Sequence, residues 1–248
     1  MKNIIKKVLR QFGYEIFKTN DLERNLADFG ADFLEIYKKC KPHTMTSIER
    51  MYALYQGVNY VIDNNIPGDF VECGVWEGGS SMVIAFLLKQ KGISNRRLFM
   101  YDTFEGMAEP TELDRDFKDG SAKAVHTART EGDKVNWCYA TLDLVRQNMV
   151  KTGLDLNQIV FVKGKVEDTI PGTVPEKISL LRLDTDWYES TKHELDFLYP
   201  ILSKNGVLIV DDYGHWKGCR QAVDEFFEKE TSKTLFNRID YTGRLAIK

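Results

Sequence analysis

Ile178-Ser179-Leu180-Leu181-Arg182-Leu183-Asp184 is a short, mostly apolar run that ends abruptly in an acid. Gly206-Val207-Leu208-Ile209-Val210-Asp211-Asp212 repeats the pattern and ends in two acids. An amphipathic segment of helical length, Glu189 to Leu202, lies between them. This is the βαβ signature of buried parallel strands. Adjacent strands lie roughly 4.8 Å apart, so Asp184, Asp211 and Asp212 are expected to converge at one edge of one sheet. Ligands of open α/β sheets bind outside the carboxyl ends of the strands. Three hard oxygen donors there point to Mg²⁺ or a similar cation.

The alternation extends outward in both directions. Strands are expected at 70–73, 97–102 and 159–162, and helices at 80–90, 137–151 and 217–229. Two further helices, 21–39 and 46–64, precede the first strand, separated by Pro42, with Thr46 or a neighbour as N-cap of the second. The polar stretch 104–134 has few periodic apolar residues and reads as a mobile lid or insertion. A hairpin, 235–240 and 244–247 about a Thr242-Gly243 turn, is expected to end the chain. The pattern predicts an α/β, doubly wound sheet with one antiparallel edge strand. Residues 1–65 form a helical extension and 66–248 the ligand-binding domain.

Composition narrows the class. A net charge of −3 over 248 residues argues against a nucleic-acid partner. Residues 1–20 carry a net +4, which leaves −7 on the remainder. Ile4, Ile5, Val8, Leu9, Phe12 and Ile16 form one helical face flanked by Lys6, Lys7 and Arg10. Such a helix either lies on an anionic membrane surface, through residues 1–18, or packs on its own domain or a partner subunit of a homo-oligomer. Cys40, Cys73, Cys138 and Cys219 form no CxxC pair, which reads as reduced, cytoplasmic usage. No apolar run approaches ~20 residues and no signal-peptide core is present, so a cytoplasmic protein is expected, at most at the inner face of the membrane.

Glu72-Cys73-Gly74-Val75-Trp76-Glu77-Gly78-Gly79-Ser80 links the first strand to its helix. Glycines there let the backbone turn tightly against a ligand. Asp102 ends the second strand, where an acid takes ribose hydroxyls. The GxGxxG fingerprint is absent, because Trp76 stands at the middle glycine. Glu72 would repel phosphates and attract the ammonium of S-adenosylmethionine. Glu167-Asp168 follows the third strand, placed to meet an adenine amino group. Tyr188 and Lys192 match the YxxxK of short-chain dehydrogenases, which makes an NAD-dependent sugar oxidoreductase the competing reading.

Several stretches resemble the macrocin-type (TylF/MycF) O-methyltransferases. They are His43 to Arg50, Ile66 to Trp76 with Gly78 to Met82, Asp102-Thr103-Phe104-Glu105-Gly106, Gly164 to Pro171, Leu183 to Thr191, and Val210-Asp211-Asp212-Tyr213. The match runs in order from about residue 40 to 230. It implies a Rossmann-like class I methyltransferase with a mostly parallel seven-stranded sheet, using S-adenosylmethionine and Mg²⁺ to methylate sugar hydroxyls. The metal aspartates would be Asp184, Asp211 and Asp212, and the general base Asp184. Cofactor contacts would fall on Glu72, Gly74, Val75, Trp76 and Ser80, on Asp102 and Thr103, and on Glu167 and Asp168. Thr44-Met45 would close over the cofactor, and Thr141 would lie near the adenine. Stretch 106–134 and the basic N-terminus stand outside the family pattern. The N-terminus resembles the starts of glycan-cluster enzymes that work near membranes, so a glycan or lipid-linked sugar stands beside a glycosylated natural product as acceptor.

A bound cation lowers the pKa of a ligated hydroxyl. Asp184 would then accept the proton, and the oxygen would attack the sulfonium methyl in line. Asp186, read as facing away from Asp184 by parity or as lying in the loop, is taken as a supporting residue rather than a ligand. His215 is placed to contact substrate or relay a proton, unless it is a surface histidine. His126 is expected in solvent, and Trp76 and Trp187 in packing. Trp216 is left open. A silent sugar-binding scaffold is the alternative outside enzymology, and the intact acids argue against it.

Overall fold

The computed structural model describes residues 26–132, 134–231 and 233–248. The basic amphipathic segment 4–16, and with it the expected membrane or subunit contact of residues 1–18, lies outside the described residues. The chain divides after Glu35 into two compact units. In the described part of the first, Phe29 and Phe33 meet edge to face with centroids 5.4 Å apart. The second unit, Ile36–Lys248, carries the sheet. Residues 36–65, expected in a separate extension, belong to it.

The five parallel strands are β1 (Asp69–Cys73), β2 (Leu98–Asp102), β5 (Ile159–Lys163), β6 (Ile178–Leu183) and β7 (Leu202–Val210). With the short strands β8 (Asn237–Arg238) and β9 (Arg244–Ile247) they form one sheet, in the order β5-β2-β1-β6-β7-β9-β8. Every residue of β6 is buried, because both faces of a central parallel strand are covered by helices. Register pairs Cys73 with Leu183 and Leu183 with Val210, so the acids after β6 and β7 emerge side by side. The chain leaves β1 towards β2 and β5, then returns to β6 and β7. The reversal of strand order between β1 and β6 is where such sheets open a crevice.

The antiparallel end of the sheet is the expected terminal hairpin. β9 pairs with β7 on one side and β8 on the other, and the edge is the two-residue β8. A very short edge strand offers little template for pairing with another chain.

Helices α1 (Ala31–Cys40) and α2 (Ile48–Asp63) precede the sheet. Ser47, not Thr46, caps α2, its hydroxyl accepting from the Arg50 N–H. Gly57 lets α2 approach the sheet, where a Cβ would press on Leu180 and Val207. α3 (Gly79–Gln90) is buried from Gly79 to Leu88, as a helix apolar on most sides must be. α5 (Leu142–Val150), α7 (Tyr188–Leu198) and α8 (Lys217–Lys229) complete the long helices, with α7 against α8. The short α6 (Val166–Thr169) follows β5. α5 starts five residues later than expected, because Cys138 takes a left-handed φ of 49° and the chain bends before Thr141 caps the helix.

Stretch 104–134 is built rather than structureless. It holds α4 (Ala122–Ala128) and a small hairpin, β3 (Thr130–Glu131) with β4 (Lys134–Val135). Its anchor is Asp114, buried to 1% exposure. One oxygen accepts from the Thr111 N–H and hydroxyl, the other from the Tyr188 N–H at 2.8 Å. α7 has no side-chain cap of its own, so Asp114 supplies an anion to its orphan donors.

Candidate active site

A cavity of about 520 Å³ opens at the carboxyl ends of β1, β2, β6 and β7. Its floor begins at the glycine loop. Gly74 has φ of 82°, and a Cβ there would run into the Asp184 carbonyl, so only glycine lets the two strand ends meet. Trp76 also takes a positive φ, 47°. The Asp102 carboxylate holds this turn, accepting from the N–H groups of Val75 (2.7 Å) and Trp76 (3.0 Å), and from that of Phe104 (2.7 Å). Burial raises its pKa, against these hydrogen bonds. Asp102 lines the cavity, yet three backbone donors already occupy most of its acceptor capacity.

Glu72 lies beneath the site, not in it, which corrects the expected ammonium contact. It is fully buried, and the hydroxyls of Ser80 and Ser81 and the guanidinium of Arg182 take its two oxygens. An apolar strand interior cannot carry an unpaired anion.

Arg182 is 1% exposed and joins three strand ends. One nitrogen donates to Glu72 at 2.6 Å and Asp184 at 2.8 Å, the other to Asp211 at 2.6 Å. Burial opposes its charge, but Asp184, Asp211 and Glu72 outweigh it and hold the group protonated. Arg50 of α2 also donates to Asp211, and pairs with Asp240 at 3.1 Å.

Asp211 is therefore committed to two arginines. Of the expected metal residues Asp184, Asp211 and Asp212, all three line the cavity, and the carboxylates whose ligand atoms all lie within 4.8 Å of one another are those of Asp184, Asp186 and Asp212. Asp186 lies beyond the end of β6, in the loop before α7, where its left-handed φ of 71° accompanies a carboxylate that meets the other two. Burial raises the pKa of all three. Repulsion from Asp211 and Asp212 adds to this at Asp184, against Arg182, and repulsion from Asp186 and Asp211 adds to it at Asp212. Asp186 is pushed up to about 7 by burial and then by the charge of Asp184. Three crowded carboxylates with no cationic partner for Asp186 among the described residues, and only oxygen donors, fit a hard divalent cation.

The other expected contacts divide. Thr44, Met45, Gly74, Val75, Trp76 and Ser80 line the cavity, with Met45 62% exposed at its rim. Thr103 and Glu167 line an adjoining recess of about 60 Å³. Asp168 and Thr141 line neither, both are exposed, and Thr141 is spent capping α5. Tyr188 donates to Glu225 and Lys192 to Asp196, so the dehydrogenase pair is not assembled in the cavity. His126 is half-buried against the Met107 carbonyl rather than in solvent. Trp187 packs with Trp137 and Trp216 at 5.5 and 5.0 Å. Trp216 donates its indole N–H to Asp186 at 3.0 Å. His215 lines the cavity, and burial lowers its pKa.

Arg50, Asp186 and the lid residues Met107 and Val125 also line the cavity and were missed as site residues. An arginine at the centre of an apolar strand is itself a signal for buried acids nearby, and Arg182 carried it.

The profile of the macrocin O-methyltransferase (TylF) family matches residues 1–246. The 8-demethyl-8-(2,3-dimethoxy-alpha-L-rhamnosyl)-tetracenomycin-C 4'-O-methyltransferase of Streptomyces olivaceus is 35% identical over 205 residues, covering 81% of this chain and 74% of its own. The mycinamicin III 3''-O-methyltransferase of Micromonospora griseorubida is 31% identical over 81% of this chain and 76% of its own. The structure of the O-methyltransferase NovP superposes with a TM-score of 0.72 at 33% identity, covering 83% of this chain and 82% of that one.

Proposed function

The chain belongs to the macrocin O-methyltransferase (TylF) family of S-adenosylmethionine-dependent enzymes, and we propose that it methylates a sugar hydroxyl with the help of a divalent cation. The observation that carries this reading is the convergence of Asp184, Asp186 and Asp212 in the cavity that also holds the glycine loop. Two relatives whose names specify glycosylated natural products support a sugar-bearing acceptor.

S-adenosylmethionine supplies an electrophilic methyl group. Mg²⁺ bound by Asp184, Asp186 and Asp212 would stabilise the developing alkoxide charge of the acceptor. The chain's residues do the rest. The Gly74–Trp76 turn and Ser80 form the cofactor floor, and Thr44-Met45 covers it. Asp211, fixed by Arg182 and Arg50, keeps the two strand ends in register. Asp184 accepts the hydroxyl proton, because burial and neighbouring acids raise its basicity. Asp186 is the second reading for the base, favoured by its pKa of about 7 and by its contact with a neutral indole instead of an arginine.

The basic residues 1–18 support an acceptor presented at an anionic membrane surface, and the four free cysteines support a reducing cytoplasm. Binding of the full chain to anionic vesicles, lost on deleting residues 1–18, tests the first of these.

Calorimetry of S-adenosylmethionine binding, with NAD in parallel, tests the class. Saturable binding of the former alone is expected. Chelation should abolish methyl transfer to glycosides, and Asp184→Asn should lower it at least ~100-fold. Full activity of either the chelated enzyme or the variant would sink the metal-and-base mechanism.

A further inference from the structure

Three segments distant in sequence bring aromatic rings together beside the cavity: His215 and Tyr241 line it, and Phe117 lines a neighbouring recess with His215. Phe117 comes from the stretch before α4, His215 from the loop after β7, and Tyr241 from the β8–β9 turn. Phe117 is 50% exposed and Tyr241 54% exposed. Their centroids lie 6.1 Å apart, and each sits about as far from His215, at 5.6 and 6.0 Å.

The placement is built. Residues 116–120 form a tight turn, in which the Asp116 carboxylate accepts from the Lys118 and Gly120 N–H groups. Asp116 also pairs by backbone with Trp216. The turn thereby holds Phe117 out beside the loop of His215. Gly214 allows the Tyr241 backbone to close in from the other side, where a Cβ would clash with its carbonyl.

The inner end of this aromatic run touches the acids. Trp216 bonds Asp186, and the His215 N–H donates to the Asp212 carbonyl at 2.9 Å. From the Trp216 ring the next ring outward, His215, is 4.7 Å away, and Phe117 lies 5.6 Å beyond that. Each step is about the width of one sugar ring. An acceptor hydroxyl over the acid cluster would therefore place the next ring of a glycan on Phe117, His215 and Tyr241.

The ring planes meet at 59°, 64° and 74°, so they form a corner and not a floor. A flat polycyclic aglycone needs a coplanar surface. A puckered pyranose fits a corner, laying a C–H face on one ring while its hydroxyls reach polar groups around it. Those groups are present. The Tyr241 hydroxyl bonds His215 Nδ1 at 3.1 Å, which leaves the imidazole Nε2 for a sugar hydroxyl. Phe117, His215 and the exposed Arg220 also share a side recess of about 70 Å³.

We propose that Phe117, His215 and Tyr241 form a second acceptor subsite, which takes the pyranose ring linked to the sugar that is methylated. The acceptor class is then a disaccharide or longer glycan. This rests on the sugar-methyltransferase reading above, and the test separates the two.

Matched pairs of methyl monosaccharides and the corresponding methyl disaccharides, with 4-nitrophenyl glycosides alongside, would be presented to the full-length protein. Binding would be read by saturation-transfer NMR with S-adenosylhomocysteine and Mg²⁺ present, and turnover by release of S-adenosylhomocysteine. The wild type should favour at least one disaccharide over its monosaccharide by about tenfold, the worth of good ring stacking. Phe117→Ala should remove that preference while leaving monosaccharide binding and cofactor affinity unchanged, and Phe117→Tyr should keep it. No disaccharide preference, a stronger preference for the aryl glycosides, or a preference that survives Phe117→Ala would overturn the subsite. Loss of the preference in Phe117→Ala without any turnover would uphold the subsite and refute the methyl-transfer mechanism instead.

Discussion

Without a bound cation, the protein should lose stability as the pH rises from about 4 to about 7, because the folded state holds a proton on Asp186 that the unfolded chain releases. The Asp186 pKa is about 7 in the fold, against about 3.9 unfolded. A carboxyl raised in this way contributes its stability below the unfolded value and loses it as pH passes through the folded value. Three units correspond to an upper bound of ~4 kcal/mol. The group faces a solvent-open cavity, so about half of that is the realistic figure. For a chain of this size ~2 kcal/mol shifts Tm by roughly 4–8 °C. The assay is thermal unfolding at pH 5, 6, 7 and 8 in chelator, comparing the wild type with Asp186→Asn. His215, its pKa lowered chiefly by burial, acts in the opposite sense below about 6.5, but it is common to both proteins and cancels. The wild type should fall relative to the variant as pH rises, and Mg²⁺ should restore it most at pH 8, where protons no longer compete. A difference between the two that does not change with pH would refute the account of a crowded, uncompensated acid cluster.

Three further outcomes follow from the same geometry. Arg182→Met should cost ~3–5 kcal/mol in urea unfolding, because it strands Glu72 as a buried charge and leaves Asp211 with Arg50 alone, and a Glu72→Gln second change should recover part of that. Asp186→Asn should weaken Mg²⁺ binding by calorimetry more than Asp211→Asn does, since Asp211 is already neutralised by two guanidinium groups; the reverse order would restore Asp211 to the ligand set. Gly74→Ala should lower Tm by several degrees and weaken S-adenosylmethionine binding, because the new methyl group displaces the Asp184 carbonyl, and a normal Tm would show that the β1 and β6 ends are not in contact.

The parallel core was legible because each strand is a continuous apolar run closed by an acid or a glycine, and the two acid-closed runs 178–184 and 206–212 are separated by one helix. What escaped the sequence reading depends on contacts between distant segments. The terminal hairpin was legible, but its first arm, expected over 235–240, pairs only at Asn237–Arg238, too short a strand for its bounds to show as an alternation. The order of stretch 104–134 rests on contacts with distant segments, among them Asp114 reaching the first residue of a helix more than seventy positions away and the Trp187 indole N–H donating to the Ala108 carbonyl. Asp186 was set aside as facing away from Asp184, although residues two apart on an extended strand face the same side, and it lies in the loop beyond the end of β6. Asp168 drew attention by following a strand and Thr141 by the family resemblance, yet the first faces solvent and the second caps a helix.

Glu72 and Asp211 show the same limit in a way that explains the site. A carboxylate at a strand end is equally suited to hold an arginine or a metal, and sequence spacing does not separate the two roles. The fold separates them by their partners. Arg182, beneath the strand ends, takes Glu72, Asp211 and one oxygen of Asp184, and Arg50, at the cavity wall, takes Asp211 and Asp240. Asp186, Asp212 and the rest of Asp184 are left facing the cavity with no further arginine or lysine paired to them among the described residues. The buried arginines thus serve two ends. They neutralise the acids that water cannot reach, and they leave uncompensated only the negative charge that a divalent cation can meet. A site built this way should prefer a dication over a monovalent ion by far more than carboxylate count alone implies, since the arginines have already satisfied the nearest single charges. Competition of Na⁺ or K⁺ at 0.5 M against millimolar Mg²⁺, read as the Tm shift at pH 8, checks it: the Mg²⁺ stabilisation should survive the salt, and its loss would mean that the cluster is a diffuse acidic surface.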